Sequence, residues 1–234
     1  MREEIKDRAL RYAGRHPSLF FGLYSARPRY DGLLVGPETD LVIEGFPRSG
    51  NTFSVFAFKH AQSREVRVAH HLHAPAQILR ATRLGIPALV LLRDPVDAVL
   101  SLMLRDPGFT AGRALRYYAS FYETVARHGD GFVVGPFEEV TGDYGAVVGR
   151  INARFGTGFV PFDHTEGNVE RVFASIEASH RARRRDVVAE EQIARPSAAR
   201  ADLKASLKER LRSTELFAPL ARARAAYEVL RPGR

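Results

Sequence analysis

The sequence contains no cysteine, no tryptophan and only two methionines. Without cysteine there is no disulfide framework, no thiolate zinc site, no iron–sulfur cluster and no cysteine nucleophile. Long apolar runs are missing too. The longest, Ile86 to Leu92, is broken by Pro87 and falls far short of the about 20 residues that a membrane-spanning helix needs. The first ten residues, MREEIKDRAL, are charged from the second position and lack the apolar stretch of a signal peptide. These absences lead to the expectation of a soluble, cytoplasmic protein with no membrane span. Lysine is nearly absent as well: of 35 basic residues only Lys6, Lys59, Lys204 and Lys208 are lysines, and the rest are arginines.

What is present is an ordinary globular balance, with 45% hydrophobic and 26% charged residues over 234 positions. At about 150 residues per domain this length suits one or two domains. A chain of this size hides about 70% of its unfolded surface, enough for a real core. The net charge of +8 raises the local concentration of anions without saying which.

Along the chain, residues 1–13 pattern as an amphipathic helix, and Gly14 to Asp40 as a Pro/Gly-marked loop with short elements. Apolar runs then alternate with helical segments. Strands are expected at Leu41–Gly45, Val66–His70, Pro87–Leu92 and Phe132–Val134. Helices are expected near Thr52–Gln62, Ala74–Leu84, Ala111–His128 and Tyr144–Phe155, and a further one begins at Asp94-Pro95 with Asp94 as its cap. This alternation predicts an α/β fold with a mainly parallel sheet flanked by helices. No linker divides the chain. The expected layout is a single domain: residues 1–40 as an N-terminal helix and loop, 41–160 as the α/β core, and 161–234 as a helical C-terminal part.

Two segments carry chemistry. In LVIEGFPRSGNTF an apolar strand ends at Gly45, a turn follows, and a helix opens near Asn51. That geometry aims backbone N–H groups and the positive helix end at one point, which suits phosphate or sulfate. Gly50 permits close approach, Ser49 and Thr52 offer hydroxyls, and Arg48 adds a forked cationic donor. The spacing of Gly45, Gly50 and Thr52 nearly matches a nucleotide-binding P-loop, but Asn51 stands where that loop has its lysine. An incidental glycine-rich turn is the plain alternative. In the second segment, LVLLRDPVDAVLSLMLRD, Arg93 stands at the carboxyl end of a buried strand, where open α/β sheets bind ligands. Ser101 lies on the following helix, so Arg93 and Ser101 are placed to close on one phosphate. Alternatively Arg93 merely pairs with a carboxylate and Ser101 merely packs.

PRSGNTF at 47–53 resembles the 5′-phosphosulfate loop of sulfotransferases that use 3′-phosphoadenosine 5′-phosphosulfate (PAPS). RDPVDAVLS at 93–101 is similar to the same family's 3′-phosphate motif, in which an arginine and a serine bind that phosphate. The resemblance covers about residues 41–140. It implies a P-loop-like sheet and transfer of a sulfuryl group from PAPS to a hydroxyl or amine acceptor, leaving PAP, with a histidine base and no metal. It implies that Arg48, Ser49, Gly50, Asn51, Thr52, Phe53, Arg93 and Ser101 bind the donor, with Arg48 also acting on the sulfuryl group.

Between these motifs, VAHHLHAPAQIL holds His70, His71 and His73. His71-Leu72 best matches the family's His-Leu-Pro context, which makes His71 the expected base, although His73 stands where the proline should be. A metal site from His70 and His73, or a structural role for all three, are the alternatives. Phe53 and Phe137 (in FEEV, 137–140) stand where the family stacks aromatic residues near adenine, and both also suit a core. Arg195, in Arg195-Pro196-Ser197, is the candidate for the family's C-terminal phosphate loop, with Arg183 to Arg185 as substitutes. The acceptor is expected to be a small molecule, carbohydrate or lipid, with no nucleic acid as partner. The two rival functions are a P-loop nucleotide kinase or other phosphotransferase, and a non-catalytic anion-binding module.

Overall fold

A computed structural model describes residues 9, 11–183 and 213–233. Four short strands, β1 (Leu41–Gly45), β2 (Val68–His70), β3 (Ala88–Leu92) and β4 (Val133–Pro136), form one sheet in the order β2-β1-β3-β4. Every pairing is parallel, with Ile43 opposite His70 and Leu89, and Val90 opposite Val134. β1 and β3 are buried along their whole length, as parallel strands covered on both faces must be. The fold is therefore the α/β class that the strand–helix alternation predicts.

One face of the sheet is covered by α3 (Pro75–Leu84), α4 (Pro95–Arg105), α5 (Ala111–Ala126) and α9 (Thr214–Leu230), together with Phe20 and Phe21 of α1 (Pro17–Tyr24). The other face carries α2 (Asn51–Ala61), α7 (Tyr144–Phe155) and α8 (Glu166–Arg183), with α6 (Phe137–Gly142) between β4 and α7. Strand residues divide between the two cores by alternation: Val42, Val90 and Leu92 on the first, Leu41, Ile43, Leu89 and Leu91 on the second.

The connection after β1 runs through α2 to β2, and the one after β3 runs the other way to β4. Adjacent strands whose connections diverge leave a crevice beyond their carboxyl ends, the usual ligand position in open α/β sheets. Here that crevice lies between β1 and β3. The loop 46–50 and the turn at Arg93-Asp94 form its two lips.

Candidate active site

The loop after β1 is held from below. The Phe46 N–H donates to Tyr122 Oη at 3.2 Å, and that hydroxyl donates to the Leu91 carbonyl at 2.6 Å. Ser49 is fully buried, with Oγ 3.4 Å from Tyr122 Oη and its N–H on the Phe46 carbonyl. The Asn51 side chain is buried too, and its amide donates to the Phe46 carbonyl at 3.1 Å. Ser49 and Asn51 thus close the loop instead of facing the crevice. α2 opens with Gly50 as cap at φ +91° and no side-chain cap bond, so its first-turn N–H groups stay available. A side chain at position 50 would strain the backbone at that φ and bring a Cβ to 3.5 Å from Phe137 and Val140.

Arg48, at φ +72°, directs its guanidinium across the crevice, where Nε donates to Ser101 Oγ at 3.1 Å. Arg93 donates from Nη1 to the Arg48 carbonyl at 2.8 Å. Its guanidinium carbon sits 3.8 Å from the centre of the Phe137 ring, a cation–π contact. Burial pulls the Arg93 pKa down, and the carboxylates of Asp97, Glu138 and Asp94 oppose that shift. Arg48, Arg93 and Ser101 therefore converge in one cluster above the N-terminus of α2. They were expected at opposite ends of a nucleotide, and the reach of the Arg48 side chain is what joins them.

The other candidates fall differently. Phe53 is only 7% exposed and packs among Tyr144, Phe162, His164 and Phe173, so it is a core residue with no open ring face. Phe137 is half-buried, and one face of its ring is taken by Arg93. Arg195, Arg184 and Arg185 lie outside the described residues, as does most of the N-terminal helix expected over 1–13.

The histidine turn joins the site from β2. His71 and His73 both adopt left-handed backbone conformations, at φ +62° and +49°. Glu44 holds them there. Its buried carboxyl group accepts the N–H groups of Leu72 and His73 at 2.9 and 2.8 Å. Burial raises the Glu44 pKa to about 8, although those two bonds act to lower it. Nε2 of His71 lies 3.0 Å from Thr52 Oγ1 and its Nδ1 lies 2.6 Å from Nδ1 of His70, so both ring nitrogens are engaged within the protein. His73 differs: its Nδ1 lies 2.9 Å from the Gly45 carbonyl. A carbonyl can only accept, so Nδ1 carries the proton and Nε2 is left as an acceptor. Burial lowers the His73 pKa; the Gly45 carbonyl opposes this, and the charge of Arg48 adds to it.

Three tyrosines of α5 complete the scaffold. Tyr117 donates to the His73 carbonyl at 2.7 Å, Tyr118 to the Arg93 carbonyl at 2.5 Å, and Tyr122 to Leu91 as described. Neither they nor Glu44 were picked out from the sequence. A lone carboxylate in an apolar five-residue strand was the signal for Glu44. The i, i+4 spacing of Tyr118 and Tyr122 on an amphipathic helix was a fainter one.

No family model matches the sequence, and no curated protein matches it. Among solved structures the chain is similar to a mouse sulfotransferase complexed with PAP. The two are 13% identical, the alignment covers 86% of this chain and 92% of that one, and the TM-score is 0.45. Among the described residues, no helix is long and apolar enough to cross a membrane.

Proposed function

We propose that the protein is a sulfotransferase that moves a sulfuryl group from PAPS to a hydroxyl acceptor and releases PAP. The observation that carries this reading is the convergence of Arg48, Arg93, Ser101 and the uncapped start of α2 on one crevice, together with the two motif segments that supply them. The donor set suits an anion with several phosphate or sulfate oxygens: two guanidinium groups, a hydroxyl and a helix N-terminus. The phosphotransferase alternative fits less well, because the Asn51 side chain at the P-loop lysine position is turned inward onto Phe46.

In this reading the α2 N-terminus and Arg48 hold the 5′ end of the donor, and Arg93 and Ser101 hold the 3′-phosphate. The bond from sulfur to the 5′-phosphate oxygen breaks as the acceptor oxygen bonds to sulfur. Charge that grows on the leaving phosphate meets Arg48 and the helix N–H groups already in place. One such preorganised donor contributes about 3 kcal/mol. Transfer of this kind depends mainly on positioning and charge stabilisation. The acceptor proton goes to a histidine of the turn. Geometry favours His73 over the sequence choice, His71, because only His73 combines a fixed Nδ1–H with an accepting Nε2.

Calorimetric titration with PAP and with AMP tests the donor site. PAP should bind at least about tenfold more tightly, since a charge-assisted phosphate contact contributes 1.4 kcal/mol or more, and Arg93→Ala should erase most of that difference. Equal affinities in the parent protein would overturn the reading.

A further inference from the structure

A cavity of about 220 Å³ has His73 on its wall. Its walls are Phe20, Tyr24, Leu72, Phe109, Tyr117 and Phe121, and its polar members are Arg11, Arg15, His73 and Ser120. Among the described residues, no carboxylate lines it. Arg15 adds a second observation: its Nε is buried with no hydrogen-bond partner. A guanidinium stays charged in proteins, and a buried donor left unpaired is costly. An anionic ligand would satisfy it, and the planar fork of arginine suits a carboxylate. An apolar cavity of about 150 Å³ holds a benzene ring, so this one has room for a single ring with a short side chain.

We propose that this cavity is a ligand site for a compact apolar hydroxy compound bearing an anionic group, of the hydroxyaryl or hydroxyalkyl carboxylate class. Its carboxylate lies at Arg15, with Arg11 on the same wall, its apolar body lies along Phe20, Tyr24 and Phe109, and its hydroxyl reaches Nε2 of His73. The proposal rests on the sulfuryl-transfer reading for the reaction but not for the binding. When transfer occurs, the hydroxyl oxygen bonds to sulfur, the sulfur–phosphate oxygen bond breaks and the hydroxyl proton passes to His73 Nε2. His73 is the shared wall. It lines the cavity, its ring lies 6.0 Å from the His71 ring between centroids, and it feels the charge of Arg48.

Calorimetry of the full chain with saturating PAP, using 4-hydroxyphenylpropionate, 4-hydroxycyclohexanecarboxylate and the methyl ester of each, tests it. The acid of at least one pair should bind about tenfold or more tightly than its ester. In Arg15→Gln that preference should shrink to less than about threefold while PAP affinity stays unchanged. The acid–ester comparison in the parent protein needs no variant to fold. If each acid binds no better than its ester, or none binds to protein that binds PAP, the cavity proposal falls and the donor reading stands. If an acid is preferred but PAP does not bind, the cavity stands and the donor reading falls.

Discussion

Replacing His73 by glutamine removes the accepting Nε2 while leaving a side chain able to donate to the Gly45 carbonyl, which isolates the proton-transfer role from the structural one. With PAPS and 4-hydroxyphenylpropionate, His73→Gln should slow transfer by about 100- to 10,000-fold, the range of general-base catalysis, with PAP affinity retained. His71→Gln should cost far less, because both of its ring nitrogens already serve Thr52 and His70. The reverse order of effects would restore His71 as the base. The resemblance pointed to His71 within VAHHLHAP, and the contact that favours His73 could not be read there. The choice depends on which ring meets the Gly45 carbonyl, a contact between residues 28 positions apart. Glu44 is a second residue-scale case. Burial pushes its folded pKa from the ordinary 4.5 up to about 8. The folded state therefore binds more protons than the unfolded state between those values, and stability falls as pH rises through that window. His73, lowered from 6.5, acts in the opposite sense below its ordinary value, so the clean window is pH 6.5 to 8. The unfolding free energy from urea titrations there should drop by up to about 1.4 kcal/mol per pH unit, and the profile should flatten in Glu44→Gln. A flat parent profile would show that Glu44 is ionised throughout.

Elements were legible where one signal dominated. β1 and α7 fall on the predicted bounds, Leu41–Gly45 and Tyr144–Phe155. The Asp94 cap is also as expected, with its carboxylate accepting from Val96 and Asp97 at 2.9 and 3.1 Å. Two helices were not foreseen. In α1 the sequence PSLFFGLY starts on a proline that looks like a loop marker, yet proline is well placed at a helix's first position. In α6 the six residues FEEVTG are too few to display a period and follow β4 without a turn. The pairing of β1 with β3 gives a prediction at this scale. A Cβ on Gly45 would lie 2.6 Å from the Leu91 carbonyl oxygen and 2.9 Å from its Cβ, in the sheet and just below the crevice. Gly45→Ala must push the two strands apart, and overpacking of this kind costs about 1–3 kcal/mol. A fall in thermal stability together with weakened PAP binding is expected. Gly142→Ala, with nothing within 4 Å of its Cβ, is the control that should leave both unchanged.

Seen as a whole, the molecule places its cationic site at the switch point of a parallel sheet, on a chain whose net charge is +8. The sequence showed the charge excess and both motif segments, but not that Arg48 would reach Ser101, because that contact needs β1 and β3 as neighbours. Nor did composition say whether the arginines act locally or through their summed field. Some pair on the surface, as Arg222 of α9 does with Glu123 of α5 at 2.6 and 2.7 Å; exposed pairs of this kind add little to stability. The surplus remains as a long-range positive potential. Such a field steers anions toward a cleft and raises association rates by about 10- to 1,000-fold, an effect that salt screens. The screening length shrinks from about 10 Å at 0.1 M to about 3 Å at 1 M salt. Contacts inside the half-buried cluster of Arg48, Arg93 and Ser101 are screened far less. Stopped-flow binding of a fluorescent PAP analogue between 50 and 500 mM salt separates the two contributions. The association rate constant should fall about tenfold and the dissociation rate constant should stay nearly level. A salt-independent association rate would assign recognition to the local cluster alone. A dissociation rate that climbs with salt as steeply as association falls would mean that the anion is held at an exposed, solvated surface instead of in the crevice between β1 and β3.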